Sequence, residues 1–369
     1  AEASEKYFVG SQRSLVKGLE VAWLQSDVAE KPSLIIADVA SVGAMDFAEL
    51  HGVDFAIFSS WPTGPTLQSL ADESRFQHAW LPSELFAFTQ SASQQSLYDR
   101  VLRSVMTTAM PWALEWAGFH TPRRELRVEL GLPPGRMELM EPPRLPGGLR
   151  PLVLVANHWA LDRPRPLPPH IQLVGPTENY TTRVSSRPPL SKDIAQWLAG
   201  TAGNIVYVSL GTNVRPRAAE ISKMIQGMSL MKDHNFLWDI REGMDSTMAE
   251  LPSNVRVDES LDQLAVLASG KIAVFVSHCG LNSLHEAMHF GIPIVGLPYI
   301  ADQLVSARIV EEVGVGRRLA PSRLTAEGFA EVVGDVARNA AYRQAARQVG
   351  RLGAVAGGAR LAADWLEMA

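Results

Sequence analysis

Two short apolar runs, Ala273–Ser277 and Ile294–Leu297, each end in a polar loop that opens a stretch of helical spacing. Behind the first stands His278-Cys279-Gly280-Leu281-Asn282-Ser283-Leu284-His285-Glu286. The second is entered through Gly291-Ile292-Pro293 and followed by Pro298-Tyr299-Ile300-Ala301-Asp302-Gln303. Continuous apolar runs of this length suit strands buried on both faces, which is the condition of a parallel sheet sandwiched by helices. In open sheets of that kind ligands bind outside the carboxyl ends of the strands, where both polar loops would lie. The fold class is therefore α/β.

The same rhythm runs through most of the chain. Leu34–Asp38 predicts a strand ending in an acid, Gly43–Leu50 a helix stopped by Gly52, and Asp54–Ser59 a second strand. Residues 67–130 read as mostly helical and rich in aromatics. Leu152–Asn157 and Ile171–Pro176 predict two more strands, with a proline-rich stretch between them. The polar stretch 177–190 reads as a linker. Beyond it come a strand over Asn204–Leu210 closed by Gly211-Thr212, a helix over 218–231, and a strand over Phe236–Ile240. The expected organisation is a first Rossmann-like domain over 1–176, the linker, a second over 191–350, and a C-terminal helix over 351–369. A chain of 369 residues is long enough for two such cores. The opening Ala-Glu-Ala-Ser-Glu-Lys reads as a helix entered partway, so the first domain is expected to be N-terminally incomplete.

Composition narrows the partners. A net charge of -5 offers no general attraction to nucleic acid, so an anionic ligand must be held by local geometry. The single cysteine, Cys279, excludes an internal disulfide framework, and no apolar run approaches the roughly 20 residues that span a bilayer. A cytoplasmic location is the expectation.

The loop behind Ala273–Ser277 suits a diphosphate. A helix opening near Gly280–Ser283 presents unpaired N–H groups and a positive dipole end, and Gly280 admits close approach. His278, Asn282 and Ser283 carry groups that can donate to phosphate oxygens, and Glu286 can accept from ribose hydroxyls. Asp302 and Gln303 together can grip neighbouring hydroxyls. Each has a plainer reading. Ser283-x-x-Glu286 also fits a capping box, and Asp302 an ordinary helix N-cap. Cys279 lacks a base partner to make it a nucleophile, and no second cysteine or carboxylate cluster points to a metal.

The stretch Val274–Arg308 resembles the nucleotide-sugar signature of family 1 glycosyltransferases, the UDP-glycosyltransferase superfamily. Its His-Cys-Gly-x-Asn-Ser-x-x-Glu form is closer to plant and fungal members than to animal microsomal ones. Ser209–Thr212 resembles the family's other phosphate-binding turn, Leu34–Ser60 its acid-bearing strand and following helix, and Asn157–Pro176 its approach to the second domain. The resemblance implies a GT-B fold, two Rossmann-like domains facing across a cleft. It assigns His278, Asn282 and Ser283 to the diphosphate with Thr212 assisting, Glu286 to the ribose, Asp302 and Gln303 to the transferred sugar, and Gln263 to the neighbourhood of the base. The family usually stacks a Trp on uracil three residues before that Gln, where this chain has Ser260.

What the resemblance implies is inverting transfer of a sugar, glucose by expectation, from a UDP-sugar co-substrate to a hydroxyl of a lipophilic acceptor, with no further cofactor and no metal. Trp61, Trp80, Phe86, Phe88, Trp112 and Trp116 are the aromatics that could serve such an acceptor, core packing being the plainer reading for most of them. The family's general base is a His that follows the first strand, oriented by an Asp on a later one. Asp38 matches that Asp, with helix capping as its plainer reading, whereas His51, His78 and His120 do not follow a first strand. The expectation is that the His lies outside this chain. A nucleotide-sugar-binding homologue or scaffold without the base is the alternative.

Overall fold

The computed structural model describes residues 2–27, 31–63, 66, 121–134, 142–164, 167–212, 214–240, 251–259, 261–300 and 302–368. The chain divides into two compact units, one of Ala1–Asn157, Pro164–Val174 and Arg360–Ala369, the other of His158–Arg163 and Gly175–Ala359.

In the first unit a long helix, α1 (Glu2–Gln25), precedes β1 (Leu34–Asp38), α2 (Val42–His51) and β2 (Asp54–Ser59); α3 (Thr121–Glu129), β3 (Val153–Val155) and β4 (Ile171–Leu173) follow. The four strands form one parallel sheet in sequence order, β1-β2-β3-β4. This order leaves β1 at an edge, where Leu34 and Ile36 are exposed. α2 runs until Gly52 takes a left-handed φ of 64° and its N–H closes on Ala48 and Glu49. The start of α2 is held from α1, since the Gln12 Oε1 accepts from the Gly43 N–H at 3.0 Å. On the far side of α2 the carboxylate of Asp46, 0% exposed, accepts from Arg123 and Arg127 of α3, and Arg127 also donates to Glu49.

The second unit contains α4 (Tyr180–Ser185), α5 (Lys192–Gly200), β5 (Asn204–Ser209), α6 (Ala218–Leu230), β6 (His234–Asp239), β7 (Val255–Asp258), α7 (Gln263–Ala268), β8 (Ile272–Ser277), α8 (Leu281–His289), β9 (Ile294–Gly296), α9 (Gln303–Glu312), β10 (Gly316–Arg318), α10 (Ala326–Arg338) and α11 (Ala340–Ala354). Its six strands are all parallel, in the order β10-β9-β8-β5-β6-β7. Along β5 the side chains alternate between two cores: Ile205 and Tyr207 pack into one, Val206 and Val208 into the other. The sheet is thus covered on both faces, and the continuous apolar runs of the sequence follow from it. The chain winds outward from β5 through β6 to β7, then returns to the other side of β5 as β8, which puts the topological switch between β5 and β8.

α4 lies inside the stretch expected as a linker. It forms because Asn179 caps it, accepting from the Thr182 N–H. The C-terminal stretch carries the end of α11 and a separate helix, α12 (Gly358–Met368). α12 returns to the first unit, where Leu361, Trp365 and Leu366 pack with Leu154 and Val174. No described helix is long and apolar enough to cross a membrane.

Removing the acid from a buried ion cluster leaves uncompensated charge behind, at a cost of about 3–5 kcal/mol. Asp46→Ala is expected to lose about that much unfolding free energy in urea titration. Glu129→Ala, whose partner Arg13 is exposed, is expected to lose less than about 1 kcal/mol.

Candidate functional site

Ser209, Ser277 and Gly296 occupy one row of the second sheet, paired across β5, β8 and β9. The three loops that follow these residues therefore leave the sheet side by side, at the carboxyl ends of the strands flanking the switch. They carry Gly211-Thr212, His278–Ser283 and Asp302-Gln303.

His278 is the centre of this arrangement. Its imidazole is pinned by a hydrogen bond to the Ser209 backbone, while Nδ1 is buried with no hydrogen-bond partner. Burial holds its pKa down at about 4 against the Ser209 bond, so the ring is neutral at pH 7. Two glycines make room for it. A Cβ on Gly211 would lie 2.7 Å from the ring, and one on Gly280 would lie 2.6 Å from it. Gly211 also has a φ of 72°, which a side chain would disfavour. Between these positions Cys279 adopts a φ of 66°, the one left-handed non-glycine among the described residues. Its side chain is buried against Gly296, where a Cβ would meet the sulfur at 2.6 Å. Burial pushes the thiol up, so Cys279 packs the turn and is not a nucleophile.

α8 starts with Gly280 at its N-cap, and Gly280 supplies no side-chain cap. Ser283 is therefore at the third helical position, which overturns the capping-box alternative for Ser283 and Glu286. Both side chains turn instead to Gln263, whose Nε2 donates to Ser283 Oγ at 3.1 Å and to Glu286 Oε2 at 2.6 Å. Asn282 is exposed at the same helix end. Burial raises the Glu286 pKa; the Gln263 hydrogen bond and the charges of Arg183 and Arg187 oppose this, and Asp262 adds to it.

In the third loop Asp302 occupies the N-cap position of α9, but its side chain makes no capping bond. The ordinary-cap reading therefore fails. Burial lifts its pKa to about 6, partly offset by a hydrogen bond from its own backbone. Gln303 is largely structural, since its Oε1 accepts from the N–H groups of Tyr299 and Ile300, at 3.0 and 3.1 Å, and shapes the loop. Only its NH2 is left for a ligand. Thr212 is exposed, and its carbonyl accepts from Arg215 at 2.8 Å. The structure thus brings Thr212, Gln263, His278, Gly280, Asn282, Ser283, Glu286, Asp302 and Gln303 into one unit. Ser209 and Gly211, which seat the His278 ring, were marked in the sequence only as parts of a turn.

Asp38 belongs to the first unit. It is exposed at the end of β1, and its Oδ1 accepts from the Ala40 N–H at 2.9 Å, a local turn rather than a helix cap. His51 pairs with Glu20 at 2.7 Å and packs its ring at a tilt against Trp23 and Phe47. His78, His120, Ser260, Trp80, Phe86, Phe88, Trp112 and Trp116 lie outside the described residues, while Trp61 is half-buried against the core of the first unit.

The family model for UDP-glucoronosyl and UDP-glucosyl transferase matches residues 148–354, more than half of the chain and all three loops. The chain belongs to this family. An ecdysteroid UDP-glucosyltransferase of Lymantria dispar multicapsid nuclear polyhedrosis virus is 30% identical over 251 residues, covering 64% of this chain and 48% of the viral protein. The chain spans about half the length of the relatives it matches. The glycotransferase of kitacinnamycin superposes with a TM-score of 0.73 at 19% identity, covering 99% of this chain and 82% of the other. Os79 from O. sativa, in complex with UDP, superposes with a TM-score of 0.62 at 19% identity, covering 94% and 77%. These likenesses show the fold, which for this family member is GT-B.

The raised pKa of Asp302 has a definite sign. Its folded value of about 6 lies above the ordinary 3.8, so folding takes up a proton between these pH values and stability falls as pH rises through them. Asp302→Asn is expected to raise Tm relative to the parent above pH 6, with the gain shrinking towards pH 4. Paired thermal melts across that range check it.

Proposed function

We propose that the second unit binds a UDP-sugar and that the protein is a UDP-glycosyltransferase which moves the sugar, glucose as the first choice, to a hydroxyl of a lipophilic acceptor with inversion. The observation that carries this reading is the seat of His278, a ring wedged between two glycine turns at the open end of α8 with its Nδ1 buried and unpartnered. Membership of the family supports the donor class. The viral relative's name, with its steroid substrate and its glucose, supports the lipophilic acceptor and the donor sugar.

In this reading the diphosphate lies against the N–H groups that open α8, with Asn282, Ser283 and Thr212 around it and Gly280 allowing close approach. Glu286 accepts from the ribose, and Asp302 with the NH2 of Gln303 binds the sugar hydroxyls. The acceptor oxygen attacks the anomeric carbon as the bond to the diphosphate oxygen breaks. Negative charge then grows on the leaving group, where fixed donors stabilise it. By resemblance to the family, Asp38 is proposed to orient a general-base histidine, none of those described above, that takes the acceptor's proton.

His278 adds a titratable element. Its ring already bonds the Ser209 backbone, so contact with a phosphate oxygen through Nδ1 favours the doubly protonated imidazolium. The diphosphate raises a pKa that stands at about 4 in the free protein. UDP binding is thus expected to take up a proton, and to tighten as pH falls from 8 towards 6. Calorimetry in buffers of different ionisation enthalpy measures this uptake, and His278→Gln is expected to abolish that share of it. Glu286→Ala is expected to weaken UDP by about 1.5–3 kcal/mol, the worth of hydrogen bonds to a charged group. Sugar transfer from UDP-glucose to a steroid alcohol, followed by chromatography, tests the reaction. Failure to bind UDP at millimolar concentration would overturn the reading.

A further inference from the structure

Beside Glu286 stands a polar cluster that no step above uses. Arg187, just past α4, donates from Nη1 to Asp262 Oδ2 at 2.5 Å. Asp262 is the N-cap of α7, its other oxygen accepting from the Ala265 N–H at 3.1 Å. The next residue is Gln263, the first of α7, whose amide holds Glu286 and Ser283. A continuous relay therefore runs from Arg187 through one carboxylate and one backbone step to the acid placed at the ribose. α4 packs against α7, which brings Arg187 and Arg183 to the same side.

We propose that Arg187 is a positioning residue of the nucleotide site: clamped on Asp262, it fixes the start of α7 so that Gln263 stays on Glu286, and it supplies the positive charge that lets Glu286 meet ribose as a carboxylate. This rests on the donor-site reading of Glu286.

Two features support the assignment. The first is the balance of charge around a carboxylate only 8% exposed. The described groups that act on it are Tyr180 and Arg183 of α4, Arg187 after it, and Asp262 and Gln263 at the head of α7. Arg183 and Arg187 favour the ionised form, whereas Asp262 opposes it. Removing Arg187 takes away one cation and unmasks the Asp262 charge, and both changes push Glu286 towards protonation. Arg183 is already engaged by Glu178. The second is the state of Asp262 itself. Burial alone would raise its carboxyl, yet the Arg187 hydrogen bond, the Ala265 and Leu264 amides and the Arg187 charge hold it below the usual range. The clamp is thus present at neutral pH and lost only in acid.

The test has two arms on the full chain, using Arg187→Gln. In the first, the Glu286 carboxyl is titrated in ligand-free protein by carbon-13 NMR, assigned through Glu286→Gln. The expected result is a higher midpoint in Arg187→Gln than in the parent, and an unchanged midpoint would overturn the proposal. In the second, UDP affinity is compared between parent and variant at each pH, so that the His278 contribution cancels. The variant is expected to lose more affinity relative to the parent at pH 6 than at pH 8, by at most the roughly tenfold that one pKa unit can produce. An equal loss at both pH values would mean a merely structural role and would overturn the proposal. Failure of the parent to bind UDP would overturn the donor-site reading itself, while the carboxyl titration would still decide the clamp.

Discussion

The end-on alignment of three parallel strands is the constraint on which the site depends. Backbone pairing fixes Ser209, Ser277 and Gly296 in one row, and the chain reverses its winding between β5 and β8. Helices cannot cover the gap left at such a reversal, so three loops and the N-terminus of α8 open into one place. The roots of the three loops are positioned by hydrogen bonds of the sheet. The His278 ring fits only where Gly211 and Gly280 both lack a Cβ.

The site stores unfavourable terms, and the sheet tolerates them. Cys279 is held in a left-handed conformation, an imidazole is kept neutral with an unpartnered nitrogen, and the carboxyls of Asp302 and Glu286 are raised by burial. Each costs the folded state something, and a polar guest that makes hydrogen bonds to the imidazole and the two carboxyls offsets part of that cost. Such a cluster is the ordinary signature of a binding site. The Gln263 bridge and the Arg187–Asp262 clamp belong to the same logic, since they hold a buried carboxylate in the form a diol can use.

The strands that build this site were legible in the sequence for a physical reason. Burial on both faces demands unbroken apolar runs, and Asn204–Ser209, Ile272–Ser277 and Ile294–Gly296 carry them. Val255–Asp258 and Gly316–Arg318, at the edges of the sheet, carry none; the first alternates Val with a charged residue over only four positions, and the second has no apolar side chain at all. The helix Tyr180–Ser185 is polar and depends on the Asn179 cap, so its stretch reads as a linker. The spacing from His278 to Glu286 disclosed the donor loop, but not the partners of its side chains. Gln263 meets Glu286 from another helix, and Arg187 meets Asp262 from 75 residues away, contacts that only the folded sheet creates. The left-handed φ at Cys279 also has no signature in residue type.

The central claim is that the open end of α8, between Gly211 and Gly280, is a diphosphate seat. A crystal structure of the protein grown with saturating UDP tests it most directly. The account predicts the diphosphate against the Gly280–Ser283 backbone, a phosphate oxygen within hydrogen-bond distance of His278 Nδ1, and the ribose on Glu286. UDP ordered elsewhere on the molecule, with the α8 terminus left to solvent, would contradict it.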